Sequence, residues 1–435
     1  MMGLEPLQIG MVGAALLLTL CFLGVRIAYA AAITGTLGLA VLIGWDSGLR
    51  TAGIIPHASA INYTLSVLPM FIIIGYLAYY AGITENAFEA CRRWFGWMPG
   101  GLAVSTVFAV AGFSAVSGAN TAAAAVFARV AIPEMLRAGY DRRLAAGVVA
   151  AGATLDSLIP PSALLVVYGI IVEVSIGKLL IAGFVPGFFS ALVYTAIIVF
   201  MCWRNPKMGP PIAGYTWGQR FTSLPGTFPI LLVIGIILVS MAYGIATPTE
   251  AGALGAFCVF VIALFHKMRW VQLRQALLDS AKLTVMIFTV IWGVLIFVRF
   301  LGFAGLPEAV AAWVVGLDMP PILIILSIYA LYMVLGTILE GIGMFLLTLP
   351  VIFPVVEALG YDPIWFGIVL VKLNGIATLS PPVGLVVFVV NGVRPDIPVR
   401  DIFRGIWPFI FADVITIAVL TIFPEIVTFI LDSAD

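Results

Sequence analysis

Two pairs of adjacent prolines, Pro160-Pro161 and Pro381-Pro382, interrupt apolar runs that are otherwise long enough to cross a bilayer. Proline lacks a backbone N–H and its ring clashes with the preceding turn, so neither run can be one continuous helix. The rest of the chain leaves few alternatives to a membrane. Of its 435 residues, 63% are hydrophobic and 10% charged, against about 45–50% and about 25% in soluble domains. A soluble enzyme with a water-facing surface is thereby excluded. In lipid every backbone polar group must be satisfied within the protein, so only helices and closed barrels cross. Apolar runs of roughly 20 residues are the helical solution. The expected fold is an all-α integral membrane protein.

Spans fall near 6–25, 28–45 and 64–82, followed by an amphipathic stretch at 83–97. A small-residue block, 101–136, is interrupted at Gly112–Asn120, and the run 144–175 is broken at the first proline pair. After a span at 180–202 comes a polar loop, 204–224. The second part has spans near 228–243, 251–265 and 283–300, then a surface stretch at 305–318. A second interrupted block, 320–357, precedes the run 363–392, broken at the second proline pair, and a final span, 405–431. Glu5 precedes the first run and no Lys or Arg does, so a cleaved signal peptide is not expected and the N-terminus is placed outside.

The two parts are copies. Pro133, Gly139-Tyr140-Asp141 and Pro160-Pro161 recur in the same order as Pro354, Gly360-Tyr361-Asp362 and Pro381-Pro382, all displaced by one identical offset. A single offset for three landmarks divides the chain into repeats at 1–224 and 225–435. Basic residues mark cytoplasmic ends. Sixteen of the 21 Lys and Arg, from Arg26 to Arg404, share one side only if the blocks 101–136 and 320–357 are re-entrant hairpins that return to the side they left. The first repeat then crosses an odd number of times and the second runs upside down. That is an inverted-topology repeat of about ten spanning helices and two hairpins, with both termini outside.

Paired interruptions at matching places are the sequence mark of a transporter site. Unwound carbonyls and half-helix C-termini suit Na+, and half-helix N-termini suit a carboxylate. Glu340, at the second hairpin tip, and Asp156, at the first break, are intramembrane acids and so functional candidates. Lys372 and Asp413 lie within spans, where ion-pair, snorkelling or packing roles are expected, and Asp156 either joins a Na+ site or pairs with Lys372. The expected substrate contacts are Ser114, Ser117, Gly118, Asn120, Glu340 and Gly341. The expected Na+ ligands are Ser117, Thr154, Asp156 and Ser157 in the first repeat. In the second they are Gly336, Thr337, Asn374, Gly375, Thr378 and Ser380. Beyond Na+ as coupling ion, no cofactor is expected. The four cysteines show no CxxC, and His57 and His266 sit in apparent loops away from acids and serines. The 21 basic and 21 acidic residues leave no basic patch for nucleic acid.

The chain resembles the large, DctM-like membrane subunit of the TRAP (tripartite ATP-independent periplasmic) transporters over nearly its whole length. The resemblance rests on Pro69-Met-Phe-Ile-Ile-Ile-Gly75, Gly112-Phe-Ser-Ala-Val-Ser-Gly118 and Ile132-Pro133 with Gly139-Tyr140-Asp141. It continues in Leu158-Ile-Pro-Pro-Ser162 with Tyr168-Gly169, Ser175-Ile-Gly-Lys178 and Ser380-Pro-Pro-Val-Gly384. It implies an elevator-type Na+ symporter in a bacterial or archaeal inner membrane. Such a subunit imports an organic acid delivered by a periplasmic substrate-binding protein and works with a small four-helix membrane subunit, here expected as a separate chain. The chain departs from the family pattern at Ala119-Asn120-Thr121, where further serines are common. It also departs at Asp156, commonly Gly; at Glu340, often Asp; and at Ser380, commonly Thr.

Three other readings compete. A stand-alone Na+/anion symporter of related hairpin architecture needs no four-helix partner. An intramembrane enzyme needs a Ser-Lys, His-Glu or paired-Asp constellation, and neither HExxH nor GxGD occurs. A channel has no need of two inverted hairpins.

Overall fold

The computed structural model describes residues 5–117, 120–212, 214–317, 319–337 and 339–432, and all regular structure among them is helical. The first half contains α1 (Pro6–Phe22), α2 (Ile27–Ile43), α3 (Trp45–Ala60), α4 (Val67–Tyr80) and α5 (Ile83–Phe95). It continues with α6 (Gly101–Ser117), α7 (Asn120–Arg137), α8 (Arg142–Ala153), α9 (Ala163–Val172) and α10 (Ile176–Arg204). A short α11 (Trp217–Phe221) lies in the polar loop. The second half contains α12 (Phe228–Ala242), α13 (Pro248–Phe265), α14 (Trp270–Ala304), α15 (Leu306–Val315) and α16 (Pro321–Gly336). It ends with α17 (Gly341–Ala358), α18 (Pro363–Leu379), α19 (Leu385–Val393), α20 (Val399–Ile422) and α21 (Glu425–Asp432).

Element bounds recur at the offset of the sequence landmarks. Helices α7 and α17 start at positions separated by that offset and end at positions separated by it again, and so do the starts of α2 and α13 and of α8 and α18. The local causes recur with them. Gly139 and Gly360 turn the chain at φ of 82° and 78°, a conformation that costs a side-chain-bearing residue energy. Two residues on, Asp141 and Asp362 cap α8 and α18 by accepting from the amides of Arg143 and Trp365, each at 2.7 Å. The halves also pack reciprocally. Helix α2 lies on α14 and α13 on α4; α8 lies on α20 and α18 on α10; α7 lies on α19 and α17 on α9. Each hairpin thus rests on the broken helix of the opposite half.

Six helices among the described residues are long and apolar enough to cross a membrane: residues 63–80, α10, α13, α14, α17 and α20. Seven shorter apolar helices of 10–17 residues, including α1, α2, α16 and α18, accompany them. Large apolar side chains such as Phe228, Leu231, Phe257 and Phe265 are exposed on α12 and α13, as suits a lipid-facing surface.

The helix α3 was not expected. It mixes Asp46, Arg50 and His57 with apolar residues, so a search for apolar runs passes over it, and His57 lies in this helix and not in a loop. The second half has no such separation: α14 runs unbroken for 35 residues, about 52 Å at 1.5 Å per residue, across the positions equivalent to α3 and α4. The stretches at 83–97 and 305–318 form α5 and α15, packed on α6 and α17 respectively.

Candidate functional site

At the first break α8 ends at Ala153 and a 3-10 turn, Thr154–Ser157, leads into the prolines. Helix α9 then starts behind Ser162, whose hydroxyl donates to the Ser157 carbonyl at 2.5 Å and accepts from the Leu165 amide at 3.4 Å. Every residue from Thr154 to Ser162 is buried. At the second break α18 stays helical to Leu379, and the Ser380 amide bonds to the carbonyls of Ile376 and Ala377. Pro381, Pro382 and Val383 are exposed, and Gly384, at φ 61°, turns the chain into α19. Both proline pairs are joined by cis peptide bonds.

The two breaks and the two hairpin tips meet at a cavity of about 130 Å³. The first tip contributes Asn120 and Thr121, and the first break contributes Asp156, Ser157, Ser162 and Ala163. The second tip contributes Glu340 and Gly341, and the second break Asn374, Thr378 and Leu385. An apolar wall comes from Ile72 on α4 and Leu283, Met286 and Ile287 on α14. Four of the lining residues, Asn120, Ala163, Gly341 and Leu385, are the first residues of α7, α9, α17 and α19. Four helix N-termini therefore converge on one small space. Each carries unsatisfied amides and roughly half a positive charge, which is an anion-receiving arrangement. Glu340, at the N-cap of α17, makes no side-chain bond to the helix it precedes.

Of the residues expected to bind substrate, Asn120, Glu340 and Gly341 line this cavity. Gly118 and the side chains of Ser114 and Ser117 lie outside the described residues. Of the expected ion ligands, Asp156, Ser157, Asn374 and Thr378 line it too. Thr154 and Gly375 sit together behind it: a Cβ on Gly375 would stand 3.3 Å from the Thr154 Cβ. Gly336 packs where a Cβ would meet the Ala377 Cβ at 2.6 Å. The hydroxyls of Thr337 and Ser380 donate to their own helices, at Val334 O and Ile376 O, both at 2.8 Å. Sequence reasoning did not place Ala163, Leu385 or the apolar wall. The first two follow from where the helices restart, but nothing local marks the wall. A larger depression of about 560 Å³, near Tyr63, Lys178 and Thr247, contains none of the expected site residues.

Lys372 does not pair with Asp156. Its ammonium meets Asp413 at 2.5 Å, with side chains 2% and 0% exposed. Tyr194 donates to the other Asp413 oxygen at 2.8 Å, and its hydroxyl lies 3.5 Å from that of Thr154. The expected ion-pair role of Lys372 holds, with α20 supplying the partner. Glu134 is likewise paired, with Arg92 at 3.3 Å and Arg137 at 3.1 Å.

The sequence matches the family described as tripartite ATP-independent periplasmic transporter, DctM component, over residues 14–426. It is 32% identical over 390 residues to the C4-dicarboxylate TRAP transporter large permease protein DctM of Pseudomonas aeruginosa, covering 89% of this chain and 91% of that protein. It is 31% identical over 366 residues to the sialic acid TRAP transporter large permease protein SiaM of Vibrio cholerae, covering 84% and 85%. The isethionate TRAP transporter permease protein DctMQ of Oleidesulfovibrio alaskensis is 28% identical, over 86% of this chain and 59% of that protein. Among solved structures, the YdaH transporter of Alcanivorax borkumensis superposes with a TM-score of 0.62 at 12% identity, over 95% of this chain and 98% of that one. At that identity the likeness concerns the fold alone.

Proposed function

The chain belongs to the DctM component family of the tripartite ATP-independent periplasmic transporters, and from that membership we propose that it imports a small organic acid together with Na+. The observation that carries the reading is the convergence of four helix N-termini on one cavity built from both tips and both breaks. Such ends receive a carboxylate without any basic side chain. Hard oxygen ligands for Na+ stand beside it: Asp156 and Ser157 in the first half, Asn374 and Thr378 in the second, with Thr154 and Gly375 behind them.

The reciprocal packing and the recurring offset support an inverted repeat whose hairpins and broken helices move as one unit. The fixed part is α1, α2, α12 and α13, against which α14 and α4 pack. Helices α5 and α15 link the two, and the cargo crosses by an elevator motion in the inner membrane, both termini being periplasmic. A periplasmic binding protein delivers the cargo. The name DctMQ, and the 59% of that protein which this chain covers, support a second, smaller membrane component.

The test is uptake into proteoliposomes that contain this chain and the small membrane subunit, with the binding protein encoded beside it outside. Uptake is expected to require both the binding protein and an inward Na+ gradient. Uptake indifferent to Na+ would remove the coupling scheme, and equal uptake by this chain alone would remove the tripartite one.

A further inference from the structure

The buried ion pair of Lys372 and Asp413 does not line the central cavity, and the local fold does not require it. One common offset away, the first half carries Ala151 and Leu192 at the equivalent positions, while α8 and α18 start and are capped alike. A buried pair of this kind adds little stability over apolar residues of similar volume, and charges inside a membrane are functional candidates by default.

The pair fixes the direction of two protons. Asp413 accepts at both oxygens, from the Lys372 ammonium at 2.5 Å and from the Tyr194 hydroxyl at 2.8 Å. A phenol has one proton to give, so Tyr194 has none for its other neighbour, the Thr154 hydroxyl at 3.5 Å. The Thr154 proton is likewise committed, to the Ala151 carbonyl at 2.7 Å. Two hydroxyl oxygens on buried residues thus face each other with no proton between them. Thr154 in turn stands against Gly375, where a Cβ would lie 3.6 Å from its Oγ, and glycine brings no side chain over that oxygen. An oxygen whose proton is turned away is an acceptor only, and hard cations take such oxygens as ligands.

Removing the carboxylate reverses the polarity. A buried hydroxyl without a partner is costly, and the Tyr194 proton then has the Thr154 oxygen to turn to. A cation would have to break that bond before it could bind there. Resting on the Na+ reading above, we infer that Lys372, Asp413 and Tyr194 are positioning residues for the coupling ion. The ion pair holds the tyrosine proton away from Thr154 and so keeps the Thr154 oxygen open to Na+.

The test reads Na+ affinity from the rise in thermal midpoint of the purified full chain in detergent, as Na+ replaces K+ at constant ionic strength without cargo. Thr154→Val should weaken Na+ binding at least roughly fivefold, and Thr154→Ser should keep it within about twofold. Lys372→Ala with Asp413→Leu frees the tyrosine proton and should weaken Na+ binding roughly five- to tenfold, the worth of one hydrogen bond. Adding Tyr194→Phe to that double variant removes the proton and should return the affinity to within about twofold of the native chain. Tyr194→Phe alone should also leave it within about twofold. A network that only holds helices together would lose more at each step, so recovery in the triple variant separates the two roles. A triple variant that binds Na+ no better than the double overturns the inference. So does an unchanged affinity in Thr154→Val, or a loss in Tyr194→Phe as large as that in Thr154→Val. These two single variants decide the matter even where the double variant fails to fold, and either result leaves Na+ coupling itself standing. A native chain that Na+ protects no better than K+ removes the coupling and the inference together.

Discussion

At the first break the chain from Thr154 to Ser162 is buried, whereas at the second Pro381, Pro382 and Val383 face outward. The two lie one common sequence offset apart and share their prolines, capping aspartates and turning glycines. Side chains at equivalent positions differ. Asp156 corresponds to Ala377, Asn374 to Ala153, Lys372 to Ala151 and Asp413 to Leu192. Positions related by the sequence offset thus keep what bends the backbone and differ in what lines the cavity. Similar turns and caps surround unlike side chains, with an acid on one side and an amide near a buried ion pair on the other.

The largest effect expected from testing this contrast lies in the ion pair. Asp413→Leu strands a buried ammonium and should destabilise the protein by about 3–5 kcal/mol, read as a fall in the thermal midpoint in detergent. Adding Lys372→Ala installs the two residues that the first half already carries, and should recover most of the loss. A double variant no more stable than the single would show that the halves are not interchangeable there.

Next come the hairpin tips. Gly341 corresponds to Asn120, and only the former has no room for a Cβ, because the Asn374 amide would be 2.7 Å away. Gly341→Ala should overpack the site by about 1–3 kcal/mol and cut uptake at least roughly tenfold. Asn120→Ala, which removes atoms, should change uptake by less. Equal losses would mean that the tips are equivalent after all.

Exposure offers a gentler comparison. In a chain without its four native cysteines, Val383→Cys, at a position 41% exposed, should react readily with an impermeant thiol reagent. Ser162→Cys, its equivalent in the first half and 1% exposed, should be at least about tenfold slower. Similar rates would place both breaks in one environment. The smallest effect is the one on which the halves should agree: Asp141→Ala and Asp362→Ala each remove an N-cap and should cost about 1 kcal/mol. A large difference between them in thermal unfolding would show that one cap also serves the site.

What could be read in the sequence was what acts within a few residues. Proline pairs stop helices, Gly139 and Gly360 turn, and Asp141 and Asp362 cap, so the positions of α7 to α9 and α17 to α19 follow from local chemistry. Acids in apolar runs marked Asp156 and Glu340, which do line one cavity. What depends on helix packing stayed hidden. Lys372, on α18, reaches Asp413 on α20, and no spacing rule separates that partner from Asp156. The apolar wall of Ile72 and Met286 is indistinguishable in sequence from ordinary lipid-facing residues. Amphipathic α3 hides because its apolar stripe is too narrow to form a run.

The reciprocal packing has a consequence for how the protein is made. Helix α7 rests on α8 of its own half and on α19 of the other, and α17 on α9, so the seat of the first-half hairpin is completed only after the ribosome has delivered nearly the whole chain. Until then Asp156 and the 3-10 turn around it must wait in the membrane without the Asn374 and Glu340 side of their cavity. Biogenesis is therefore a late docking of two preformed inserts. Two polypeptides cut within the exposed loop at 205–207, made separately in one cell, should find each other as two interlocking pieces, neither of them stable without the other.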